Sequence, residues 1–232
     1  MTFLNVFFSP GAAFRKIKEK PSWILPLIIV IIFSMAIGVL ASSRMDRAQM
    51  RDRIEQQMRD RGTPEDQIQK GLEGFDKMGS NPVMKYALPA ISVLFATVIG
   101  VLLAALVLNW IVPMLGAAQG NFLLTFSVVA WASLVQVVGS IVKGILIYLR
   151  GPLNVSTGLL LLAPKMKPGY VYALLNGIDI FALWQVLVIA LGLKVAYDLK
   201  GRSVYLYVIL LWILSVAVLA LFALMPGGAR MG

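Results

Sequence analysis

One carboxylate of this 232-residue chain, Asp179, sits inside a run long and apolar enough to cross a bilayer. It is followed by Phe181, Trp184 and Gln185. An acid at that depth is costly unless it is paired, and acids kept there serve as ion or proton sites or as partners of a buried cation. In the preceding apolar run, Ser133, Gln136, Ser140 and Lys143 fall at three- and four-residue steps on one helix face. That face could be a polar path. It could equally make interhelical hydrogen bonds, with Lys143 reaching for the headgroups. Consecutive spans run antiparallel, so Lys143, late in one, and Asp179, early in the next, lie at similar depth and are expected to pair. Lys143→Met should then destabilise the chain more than Lys165→Met. The candidate intramembrane polar site is therefore Asp179, Lys143, Gln136, Gln185 and Trp184.

The chemistry open to such a site is narrow. The chain has no His and no Cys, which removes disulfides, thiolate nucleophiles, imidazole bases and most zinc sites. Two carboxylates do not share a span, since Asp179 is alone and Asp198 falls at the far end of its run. No serine stands beside an obvious base. The chain is read as non-enzymatic, with no cofactor, metal or catalytic residue.

The elements that position these residues follow from composition. Hydrophobic residues make up 59% and charged residues 14%, and the mean hydropathy is +0.83. Apolar runs of about 20 residues are the signature of spanning helices. The spacing predicts five: 22–42, 86–109, 122–149, 171–198 and 204–224. The third is longer than a crossing needs, which implies tilt or a shorter helix at its end. The fold class is all-α, a polytopic membrane bundle of about five transmembrane helices whose first partner is the lipid bilayer. Net charge is +10, an excess assigned to headgroups and not to nucleic acid.

Residues 1–21 read as an amphipathic interfacial helix, with Ser9 as cap, Pro10 in the first turn, and Phe14 and Ile17 on one face beside Arg15, Lys16, Lys18 and Lys20. Residues 22–232 form the membrane domain. Within it, 43–85 is an extramembrane helical hairpin. Its signals are the i,i+4 pairs Arg51–Glu55 and Glu55–Arg59, a stop at Gly62, and a capped restart at Thr63-Pro64. Small residues at four-residue steps, Ser34 and Gly38 in the first span and Ser92, Ala96, Gly100 and Ala104 in the second, predict close helix packing. Residues 150–170 form a short interfacial or re-entrant segment. Within it Val155–Ala163 is too short to cross, Asn154 opens a glycosylation triplet, and Lys165, Lys167, Tyr170 and Tyr172 form an interface belt. Lys194 and Asp198 are placed for a local i,i+4 pair.

Leu175, Asp179, Phe181, Trp184, Leu187 and Gly192 form an aspartate–aromatic–tryptophan pattern that resembles the bacterial branch of the Yip family, the Ypt- or Rab-interacting five-span membrane proteins. Pro10 and Phe14 of SPGAAF, Gly120, and the apolar segment Gly158 to Ala163 support the resemblance, which covers nearly the whole chain in layout. It implies a cytosolic N-terminus, although the Lys and Arg count alone would put the hairpin side inside. It also implies a membrane or small-GTPase-like protein partner and, in a bacterium, the cytoplasmic (inner) membrane. The third span lacks the proline that the resemblance implies near Leu134–Val138. The function so read is organisation of protein partners or lipids in the membrane. The alternative is a transporter, channel or lipid-translocating protein or subunit with a polar path around Asp179.

Overall fold

The computed structural model describes residues 2–151, 155–163, 166 and 169–222. Lys165, Lys167, Asn154 and the C-terminal tail lie outside the described residues. Eleven α-helices are described: α1 (Thr2–Phe8), α2 (Pro10–Glu19), α3 (Ile24–Ser43), α4 (Arg47–Asp60), α5 (Glu65–Ser80), α6 (Leu88–Ile111), α7 (Phe122–Ala132), α8 (Val135–Arg150), α9 (Tyr170–Gly177), α10 (Ile180–Ala196) and α11 (Ser203–Phe222). The fold is all-helical, a polytopic membrane bundle. Among the described residues, four segments are long and apolar enough to cross: Ile24–Ser43, Val83–Leu115, Phe122–Leu149 and Ser203–Phe222. The fifth apolar helix, α10, has 17 residues, at the lower limit of about 17 for a crossing.

Two expected spans are each broken into two helices. The third is interrupted at Ser133–Leu134 without any proline. There Ser133 Oγ donates to the carbonyl of Val129 at 2.8 Å, and the backbone tightens into three-residue bonds, Leu134 to Trp131 and Gln136 to Ser133. A hydroxyl that bonds back one turn bends a helix by competing for its carbonyl. The fourth span stops at Gly177 and restarts at Ile180. Asp179 is thus the N-cap of α10 and not a residue of a continuous span.

The third crossing is the centre of the bundle, with every residue from 124 to 135 buried. α3 packs on α6 and α8, α7 on α6 and α10, and α10 also on α11. Close approach is set by glycines whose spacing is not four. A Cβ on Gly144 would meet Ile37 Cδ1 at 2.8 Å, and one on Gly139 would meet Phe181 Cγ at 2.8 Å. The predicted small-residue face of α6 is displaced. Ser92, Ala96 and Gly100 are exposed, and a Cβ on Gly100 would meet nothing within 4 Å. The buried face is instead Ala90, Val101, Ala105 and Leu108. Periodicity alone could not tell the two faces apart, because α6 is apolar all round and carries small residues on both. On α3, Gly38 does lie close to α6, with its Cβ position 3.3 Å from Val93 Cγ2.

The N-terminal segment is two helices, and the second is docked on protein. α2 buries Ala13, Phe14 and Ile17 against α10 and α7. The Phe14 ring occupies the space a side chain at position 192 would need: a Cβ on Gly192 would meet Phe14 Cε1 at 2.9 Å and Val128 Cγ1 at 2.6 Å. Overpacking of this kind costs about 1–3 kcal/mol. Gly192→Ala is therefore expected to lower the thermal unfolding midpoint, whereas Gly100→Ala, in open space within α6, should not lower it and gains helix propensity. Ser9 does not cap through its side chain. Its N–H bonds to Asn5 and its carbonyl accepts from Ala12, so it is the corner between two helices.

Two charged details also differ from expectation. Asp198 pairs with Lys18 of α2 and not with Lys194, which lies over the Tyr205 ring at 5.9 Å. α10 ends at Ala196 and Asp198 adopts φ 51°, which turns its side chain off the Lys194 face. In the hairpin, Arg51–Glu55 (3.9 Å) and Arg59–Glu55 (3.1 Å) form as the spacing predicts, and Arg59–Glu65 at 2.9 Å ties α4 to the start of α5. Pro64, not Thr63, occupies the cap position of α5. Residues 155–163 form no α-helix; Leu159–Leu162 is one 3-10 turn.

Candidate functional site

Asp179 is held from four directions. As the N-cap of α10, its Oδ1 accepts the backbone N–H of Phe181 at 2.7 Å and of Ala182 at 3.3 Å. Its Oδ2 accepts from the Thr157 hydroxyl and lies 3.3 Å from Lys143 Nζ. The carboxylate also suits the partial positive charge of a helix N-terminus. Its side chain is 10% exposed, and that of Lys143 is 37% exposed. The cost of burying the acid is therefore met by hydrogen bonds as well as by an ion pair, which is what a buried charge requires.

Thr157 reaches Asp179 because 155–158 is extended. Gly158 and Asp179 form an antiparallel bridge, and Leu159 N–H bonds to the Ile178 carbonyl at 3.0 Å. Only glycine fits at 158. A Cβ there would meet the carbonyl oxygens of Asn176 and Leu175 at 2.8 Å and that of Ile178 at 3.0 Å. Backbone oxygens cannot rotate away as side chains do. Gly158→Ala should detach this segment and expose it to protease, whereas Gly169→Ala, whose Cβ would meet nothing within 4 Å, should not.

A second polar chain lies deeper. Gln136 Nε2 donates to Gln185 Oε1 at 2.9 Å, and Gln185 Nε2 donates to Ser133 Oγ at 2.9 Å. The hydroxyl at the break in the central crossing thus also ties it to α10. Two cavities flank these groups. One, of about 400 Å³, is lined in its polar part by Gln136, Lys143, Ser156, Thr157, Asn176 and Asp179. The other, of about 300 Å³, lies against Ser133, Gln136, Ser140 and Gln185, with Ser34, Ala96, Gly100 and Ala104 of α3 and α6 opposite. Gln136 borders both.

The structure thus brings Asp179, Lys143, Gln136 and Gln185 into one region and leaves Trp184 out. The Trp184 ring packs edge-on to Phe7 of α1 at 6.0 Å and lines neither cavity. Sequence reasoning missed Thr157, Ser156 and Asn176. The only signal for them was the Asn176-Gly177-Ile178-Asp179 stretch, a helix stop followed by a capping residue. It also missed the cluster at the opposite end, where Tyr197 Oη bonds Asn121 at 2.9 Å and Thr125 Oγ1 at 2.7 Å. Among the described residues, no group of three or more His, Cys, Asp and Glu could hold a metal.

The residues around this site match a known pattern over the length of the chain. The family model described as Yip1 domain matches residues 4–222. This chain belongs to the Yip1 domain family. It is also similar to the protein named Membrane protein YknW of Bacillus subtilis (strain 168), with 22% identity over 228 residues, 97% of this chain and 90% of that protein. No solved structure matches it significantly. In this Yip1-family chain, several of the residues that carry the resemblance stand at closest contacts: Asp179 on Thr157, Phe181 on Gly139, Gly192 under Phe14. Gly120 is another, since a Cβ there would lie 2.5 Å from the Asn109 carbonyl oxygen.

Proposed function

We propose that this Yip1-family membrane protein is non-enzymatic and organises protein partners or lipids in the bilayer. One observation carries the reading. The Asp179 carboxylate has both oxygens committed, to a helix cap, a hydroxyl and a lysine. A carboxylate so engaged fastens 155–158, α8 and α10 together and is poorly placed to load and release an ion. We place the N-terminal helices and the 198–202 turn in the cytosol of a bacterial inner membrane, with the α4–α5 hairpin on the other face. By the family resemblance, a membrane or small-GTPase-like protein is the partner class.

Transport is the second reading, favoured by the two cavities that meet at Gln136. The test is purified full-length protein in liposomes, assayed for fluorescent-lipid movement and small-solute flux. The proposal expects no flux above empty liposomes. Flux that disappears in Asp179→Asn, with the variant still folded, would replace it with the transport reading.

A further inference from the structure

The 400 Å³ cavity has donors to spare, and the one carboxylate in its described lining, Asp179, is already engaged. Lys143 uses one direction of its ammonium on Asp179, and no other partner is present among the described residues. Asn176 accepts from the Ser156 hydroxyl through Oδ1 at 3.1 Å, and its amide N–H groups have no partner among the described residues. Both side chains line the cavity. The Asp179 carboxylate lines it too, but Thr157 and two backbone N–H groups already cover it. A group entering can therefore accept hydrogen bonds from an ammonium and an amide, and that arrangement selects an oxyanion.

The surroundings select a lipid. The cavity lies within the usual ligand range of about 300–1,000 Å³, enough for a headgroup but not for two acyl chains as well. Beside it the 3-10 turn that follows Gly158 exposes Leu161 at 60% and Leu162 at 84%, an apolar ledge where chains would lie. One helical turn beyond the lining residue Ala41, Arg44 stacks over Tyr148 at 4.2 Å and adds a second cation at the hairpin end of α3. Cationic donors form charge-assisted hydrogen bonds to phosphate oxygens.

We infer that this cavity binds the phosphate of a phospholipid headgroup through Lys143 and Asn176, from the leaflet on the hairpin side. The inference rests on the proposed function and names one lipid class that the chain organises. A free phosphate would use the same donors without the ledge.

The test uses full-length protein, delipidated in detergent and titrated with dihexanoyl phosphatidylglycerol, dihexanoylglycerol or inorganic phosphate. Native mass spectrometry and the thermal midpoint are the readouts. The expected result is saturable phosphatidylglycerol binding, at least about tenfold tighter than that of inorganic phosphate and of dihexanoylglycerol. Asn176→Leu, which leaves the Lys143–Asp179 pair in place, should weaken it by at least about tenfold. Should Asn176→Leu fail to fold, Asn176→Asp, which sets a repelling charge at the same point, is expected to weaken binding as much. Binding unchanged by the variant, or equal affinity for inorganic phosphate or for the phosphate-free lipid, would overturn the inference. Absent lipid binding with impermeable liposomes defeats this site alone. Solute flux with the lipid bound at Asn176 defeats the proposed function instead.

Discussion

Asp179→Ala lowers the unfolding free energy of the bundle by about 3–5 kcal/mol, toward the lower end because Lys143 is partly exposed. Three losses coincide. The N–H groups of Phe181 and Ala182 lose their cap, worth about 0.5–2 kcal/mol. Lys143 is left as a cation without its carboxylate partner. Thr157 loses its acceptor, which frees the extended segment that covers the cavity. Asp179→Asn keeps an acceptor for the two N–H groups, so it should cost less than the alanine variant. Adding Lys143→Met to Asp179→Ala should recover part of the loss, because it removes the orphaned charge. Reversible unfolding in mixed micelles, or the thermal midpoint where unfolding is irreversible, measures all three. An alanine variant no less stable than the asparagine variant would show that the cap contributes nothing.

Phe14→Ala should cost about 3–5 kcal/mol, the usual range for emptying a buried aromatic site. Phe14 is fully buried and fills the concavity left by Gly192 between α10 and α7. Its loss removes the main apolar anchor of α2, leaving Ile17, Ala13 and the Lys18–Asp198 pair. That pair is largely exposed, and exposed pairs contribute little. The N-terminal segment should then be cut by protease at Arg15–Lys20 while the rest of the bundle stays resistant. Phe14→Leu should retain most of the docking. Cleavage of the alanine variant no faster than wild type would mean that α2 is held by the membrane surface and not by the bundle.

The membrane-bundle class was legible because continuous apolar runs have one physical explanation at this length. The Lys143–Asp179 juxtaposition was legible too, since antiparallel order alone puts the two at one depth. The breaks within the runs were not. Ser133 sits in a stretch whose hydropathy does not change across it, and its back-bond to Val129 is a matter of rotamer. Asp179 is indistinguishable in sequence from a charge within a span, because the cap signal, Gly177 followed two residues later by an acid, lies between two apolar helices with no loop-like composition to mark it. The α6 packing face was placed one residue off its true line. Ala104 and Ala105 are equally small, and only the position of α3 and α7 decides which is buried. Thr157 and Asn176 could not be found from spacing, as they reach the site through an extended segment and a helix end.

The central claim is that Asp179 is a fastener between α8, α10 and the segment before α9. The most direct measurement is a double-mutant cycle on unfolding with Lys143→Met, Asp179→Asn and the double variant. The structure predicts a coupling free energy of about 0.5–3 kcal/mol in favour of the pair, with the double variant more stable than the sum of the single losses implies. Additive losses, with no coupling between positions 143 and 179, would contradict the claim.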